Sequence, residues 1–194
     1  MENLDIKYIF LIISFILIIP WKYLYIKSII QWRTKPHIYT YIILWIILTI
    51  GWLVQLNNWW WYGSSILIIW WLWEFLIVYL ALKYWQSKIV KSDKYILFLA
   101  LLCIPMYLYS TNEYIVLFFV IFIDILAMIP TIRKSIYFPE SENLSSWNIS
   151  TFKHFFSILA MSNFSLLTIL YPLIIVMTNI VLISVIIYFR KQKK

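Results

Sequence analysis

Two carboxylates lie deep inside long apolar runs, Glu74 in SSILIIWWLWEFLIVYLAL and Asp124 in EYIVLFFVIFIDILAMIP. A charge at the centre of a bilayer costs about 2.5–3.5 kcal/mol on insertion scales, so each acid needs water, a proton or a cation beside it. No Lys or Arg is expected at that depth to pair with either one, because the basic residues cluster between the runs. Protonation is the cheapest escape, since burial favours the neutral carboxyl. Each acid therefore reads as a proton-coupling or cation-binding group on a pathway. The plainer alternative is a protonated carboxyl hydrogen-bonded between helices. Trp70 stands four residues before Glu74 and Trp73 is its neighbour, so one helical face offers indoles beside an acid. That combination suits a sugar ring, a nucleobase or a cation. Trp45, in the preceding run, is at comparable depth. Asn179 with Thr178, and Asn163 with Ser157 and Ser162, add neutral polar groups. The other use of such tryptophans is space filling against helices or lipid.

Little else in the chain could carry chemistry. Cys103 is the only cysteine, so there is no disulfide and no thiolate metal site. His37 and His154 are expected near the inner surface, and no pair of residues has metal-ligand spacing. Gly51 and Gly63 are isolated, which excludes a Gly-rich phosphate loop. No nucleophile, base and orienter stand together. An enzyme is not expected, nor any cofactor or metal.

The elements that must position these residues follow from composition. The chain has 194 residues, of which 64% are hydrophobic and 12% charged, with two glycines. A water-exposed domain cannot hide that much apolar surface. The runs do not alternate polar and apolar, so the spans are helices rather than barrel strands. Seven transmembrane helices are predicted, at 6–30 (bent at Pro20), 38–56, 64–82, 95–110, 114–138 (bent at Pro130), 150–168 and 171–189. The first is expected to be retained: its leader carries Glu2 and Asp5 instead of a basic run, and no small-residue cleavage site follows. Trp59, Trp60, Trp61 and Tyr62 read as an aromatic belt at the outer headgroups. The polar stretch PESENLSSW reads as a surface connection.

Charge supplies the orientation. Lys22, Lys27, Arg33 and Lys35 follow helix 1; Lys83, Lys88, Lys91 and Lys94 lie between helices 3 and 4. Arg133, Lys134 and Lys153 lie between helices 5 and 6, and Arg190, Lys191, Lys193 and Lys194 follow helix 7. Only Lys7 is on the other side, out of 16 Lys and Arg. The positive-inside rule then puts the amino terminus outside and the carboxyl terminus in the cytoplasm of a cell membrane. The net charge of +8 is an orientation signal and a contact with anionic lipid, not a nucleic-acid footprint.

The same map exposes an internal repeat. Ile-Pro followed by a basic residue and Lys-Ser-Ile occurs at Pro20 with Lys27-Ser28-Ile29, and at Pro130 with Lys134-Ser135-Ile136. Both copies fall in helices of the same direction. The fold expected is all-α and integral to the membrane: two parallel three-helix bundles, 1–94 and 111–194, joined by an inversion linker helix at 95–110. Pro20 and Pro130 each remove a backbone bond and read as paired gates.

With its 3+1+3 plan and these prolines, the chain resembles the SWEET / PQ-loop (MtN3-like) membrane proteins. RTKPHIYTYIILW (Arg33 to Trp45), DILAMIPTIRKS (Asp124 to Ser135) and PESEN with Trp147 are similar to uncharacterised bacterial seven-helix members of that group. The Pro-Gln pair that names the PQ-loop group is replaced by Pro20-Trp21 and Pro130-Thr131. The resemblance implies a pocket of Trp and Asn residues at midplane, with Asn179 as the best match. A repeat offset of 107 pairs Asn179 with Leu72, so the symmetric Asn of a simple sugar carrier is missing. Function expected is therefore transport of a small polar solute (amino acid, sugar or vitamin-like) by alternating access, with protons as the candidate coupling ion. Substrate-binding candidates are Trp45, Trp70, Trp73, Glu74, Asp124, Asn163 and Asn179, and gating candidates Pro20 and Pro130. The alternative is a receptor or interaction protein of the same fold, without transport, working through Glu140, Glu142 and other exposed loop residues. Partners expected are a small solute, lipid and protons, with room for a homo-oligomer.

Overall fold

The computed structural model describes residues 2–57, 61–84, 89–162 and 164–193, with the backbone alone for 2–5, 51–57, 61–69 and 107. Asn163, Lys88, Trp59 and Trp60 lie outside the described residues, as do the side chains of Trp61 and Tyr62. The described chain is all-α, with seven helices: α1 (Glu2–Ile30), α2 (Ile38–Asn57), α3 (Trp61–Tyr84), α4 (Lys91–Tyr109), α5 (Glu113–Tyr137), α6 (Leu144–Leu159) and α7 (Leu166–Gln192). A 3-10 turn at Pro139–Ser141 precedes α6. Among the described residues, Ile6–Ile30, Glu113–Tyr137 and Leu166–Gln192 are long and apolar enough to cross a membrane, as expected of a multi-pass membrane protein.

Local chemistry sets the helix starts. Asn112 accepts from the Tyr114 N–H at 2.9 Å, Asn143 from Ser146 at 3.0 Å and Ser165 from Thr168 at 3.3 Å. These side chains satisfy amides that have no helical partner. The last two overturn the expected limits 150–168 and 171–189. Helix 6 begins at its Asn143 cap and ends at Leu159, and Ser165 starts helix 7 earlier, at Leu166. Hydropathy averaged over a spanning length smooths over the α6–α7 boundary, because Ser162, Asn163 and Ser165 are only a short polar break between two apolar runs. Both α1 and α5 run on through Pro20 and Pro130. Each proline removes one backbone bond without ending its helix.

Six helices close into a ring. Going round it, α1 touches α3, α3 touches α2, α2 touches α5, α5 touches α7, α7 touches α6, and α6 returns to α1. α4 stands outside, packed on α5 and α2. There, Ala100 and Cys103 meet Ile123, Leu126 and Ala127, the two alanines allowing close approach. The main core draws side chains from all six ring helices: Tyr25, Tyr41, Ile77, Met128, Trp147 and Leu182, among others. Helix α1 is polar inside and apolar outside. Ser14, Trp21, Lys22 and Tyr25 turn inward, whereas Ile9, Ile12, Ile16, Ile19 and Tyr23 are exposed at three- and four-residue spacing. That inversion fits lipid around the ring and not water.

Candidate functional site

The ring lines a cavity of about 450 Å³, a size suited to a small molecule. Glu74 and Trp70 reach it from α3, Asp124 from α5 and Asn179 from α7. The four lie on three helices and face one space. Trp45 and Trp73 do not line it. Trp45 packs with Trp71 and Phe75, at ring separations of 5.5 and 5.8 Å, so it fills space between α2 and α3. Leu72, the counterpart of Asn179 at an offset of 107, is 52% exposed and also absent from the lining. The cavity residue of α3 is Glu74.

The expectation that no cation reaches the acids is wrong. Lys22 forms a buried ion pair with Glu74 Oε1, the two being 2% and 4% exposed. Lys153, at 3% exposure, lines the same cavity, and so does His154, which was expected at the inner surface. Both lysines are interior, where charge patterning predicts a place at the membrane surface. Lys22 turns inward because its helical face, one turn before Tyr25, packs against the ring interior. Lys153 is interior because α6 starts at Leu144, leaving it two and a half turns inside the helix.

Two indoles organise these ammoniums. Trp21 and Trp70 lie 5.6 Å apart. Lys22 Nζ is 4.2 Å from the Trp21 ring centroid and 5.8 Å from that of Trp70. Lys153 Nζ is 4.5 and 3.9 Å from the same centroids. Cation–π contacts offset part of the desolvation, about 2 kcal/mol each when water is excluded. Lys153 makes no hydrogen bond or ion pair among the described residues, and Glu74 Oε2 is likewise unpartnered. Asn179 donates to Ser150 Oγ at 3.1 Å, which fixes α7 to α6. Asp124 lines the cavity and has no hydrogen bond or ion pair among the described residues. Pro130 follows Asp124 on α5, and beside it Thr131 hydrogen-bonds Thr40 of α2 at 2.9 Å.

An aromatic layer closes one end of the cavity. Tyr25 lies 5.7 Å from Tyr41 and 6.1 Å from Trp147, and all three line its floor. Beneath them is Glu142, 1% exposed, which accepts from Tyr25 Oη at 3.2 Å and Trp147 Nε1 at 3.0 Å and ion-pairs with Lys134. Its backbone carbonyl accepts from Arg190 at 2.7 Å. Glu142 is thus a buried tie between α1, α5, α6 and α7, not an exposed loop residue, and PESENLSSW is partly core. Glu140 is exposed, as expected. Below Glu142 a second, basic cavity of about 1390 Å³ is lined by Lys27, Arg33, Lys35, Arg133, Arg190 and Lys193, among others. Close by, Asp93 is buried against Arg133, with His37 Nε2 3.3 Å away. Burial pushes the His37 imidazole down to about 4, with Lys134 and Arg133 adding to the fall and Asp93 opposing it.

Comparison with protein-family models, with curated proteins and with solved structures returns no match. The arrangement itself offers a cavity in an apolar ring that holds the Lys22–Glu74 ion pair, a second lysine, a second carboxyl and an amide. Among the described residues no three His, Cys, Asp or Glu side chains are grouped to hold a metal ion. Lys22, Lys153 and the floor tyrosines escaped the sequence reading. The Asn143 cap motif was the available signal for Lys153; none existed for Lys22.

Proposed function

We propose that the protein is a seven-span membrane transporter that moves a small polar solute by alternating access. One observation carries this reading: ionisable groups from α1, α3, α5 and α6 converge on a single cavity whose floor is an aromatic layer with a second cavity beneath it. Intramembrane charges facing a shared space are the usual mark of a solute or proton path. The triplets α1–α3–α2 and α5–α7–α6 follow the same order round the ring, which supports a parallel 3+1+3 repeat with α4 as the linker. α1 and α5 end at Ile30 and Tyr137, 107 residues apart, the offset of the two Lys-Ser-Ile triplets. Ser28 and Ser135 of those triplets each hydrogen-bond a carbonyl one turn back, on Tyr25 and Thr131. Such a plan is SWEET-like. The amino terminus is outside, because most basic residues still lie at the opposite end. Asp124, unpaired and near Pro130, is the proton-coupling residue.

The test is uptake into proteoliposomes with an inward proton gradient, using labelled amino acids, sugars and vitamins. At least one solute should accumulate. Asp124→Asn should cut its pH-dependent uptake by about a hundredfold or more, the range of a lost acid–base group, while the protein stays monodisperse. No flux with any solute would overturn transport and favour the receptor reading.

A further inference from the structure

We propose that the cavity takes an organic monocarboxylate, whose carboxylate is held by Lys153 between the Trp21 and Trp70 indoles. This inference rests on the transport reading and narrows its solute. Two lysine amino groups share the indole pair, and only one is ion-paired: Lys22 with Glu74. Lys153 stays buried with no acceptor for its amino N–H groups among the described residues. Indole faces stabilise a cation but offer no lone pairs to its donors. A bound carboxylate supplies both the missing charge and the acceptors, in a charge-assisted hydrogen bond.

The other solute chemistries fit less well. A neutral sugar leaves Lys153 unmatched. A simple cation meets two ammoniums. A phosphate brings nearly two negative charges to one free ammonium, with no arginine in the lining and with Glu74 and Asp124 close by. Phe15, Tyr41 and Trp147 in the remaining lining suit a flat or apolar body behind the carboxylate.

Binding of acid and amide pairs of equal shape is decisive, for example benzoate against benzamide and propionate against propionamide. The full chain in lipid nanodiscs is titrated calorimetrically with each. At least one acid should bind about tenfold or more tightly than its amide, equivalent to about 1.4 kcal/mol. Lys153→Gln should abolish that preference and Lys153→Arg should keep it. Equal binding of every pair, no binding by any acid, or a folded Lys153→Gln protein that retains the preference would overturn the proposal. If Lys153→Gln does not fold, the wild-type pairs and Lys153→Arg decide. Solute flux without any acid preference would remove this inference and leave transport standing. Acid-selective binding without flux would do the reverse.

Discussion

At the scale of residues, the Lys22–Glu74 pair sets the energetics of the site. Breaking a buried pair on one side strands a charge at a cost of about 3–5 kcal/mol, while replacing both partners with apolar groups is close to neutral. Glu74→Leu or Lys22→Met alone should therefore lower unfolding stability in detergent by about 3–5 kcal/mol, and Lys22→Met with Glu74→Leu should recover most of it. Additive losses in that double-mutant cycle would mean the two do not pair. His37 makes a second prediction, outside the spans. Its folded value is about 4 against 6.5 for the free side chain, so the unfolded chain binds more protons between those values. Stability contributed by the neutral imidazole is fully present above pH 6.5 and falls on acidification, by at most about 1.4 kcal/mol per pH unit, until pH 4. His37→Gln should flatten unfolding midpoints over that window. Glu74 and Asp124 were legible because a carboxylate stands out in an apolar run. Lys22 was not, since its partner is 52 residues away and nothing local to the lysine announces it.

At the scale of elements, the seven helices were legible and one boundary was not. The short polar break at Ser162, Asn163 and Ser165 is averaged away over a spanning length, whereas a single side chain accepting an amide N–H decides where each helix begins. Asn143→Ala should cost about 1 kcal/mol, the usual loss at an N-cap, read from the same detergent unfolding curves. The change would also loosen its bond to the Leu24 carbonyl, 3.2 Å away, and so the α1–α6 contact. Pro20 and Pro130 leave the Ile16 and Leu126 carbonyls without their helical donors. Pro20→Ala and Pro130→Ala each restore the N–H, so each should slow solute flux several-fold with stability unchanged or raised. Unaltered flux in both proline variants would reduce them to static features.

At the scale of the molecule, the ring creates what no helix has by itself: an interior with a closed end. Tyr25, Tyr41 and Trp147 seal it, and Glu142 holds two of the three. With Cys103 replaced by Ser, a cysteine at Ser157 should react with a membrane-impermeant maleimide from one side of a vesicle only. Adding Tyr25→Ala and Trp147→Ala should open reaction from both sides. Labelling from both sides without those changes would mean the layer is no seal.

Composition and hydropathy by themselves determined that this chain is helical, apolar on its outer faces and furnished with two acids where acids are costly. Those are local properties, written in runs of about 20 residues. Only the tertiary structure decided which side chains share the interior. It withdrew Trp45 to packing, turned Glu142 from a loop charge into a core tie, and brought Lys22 and Lys153 from the assumed membrane surface to the acids. The physical reason is that a lysine's long side chain can turn either outward or into the ring. That choice depends on groups supplied by other helices.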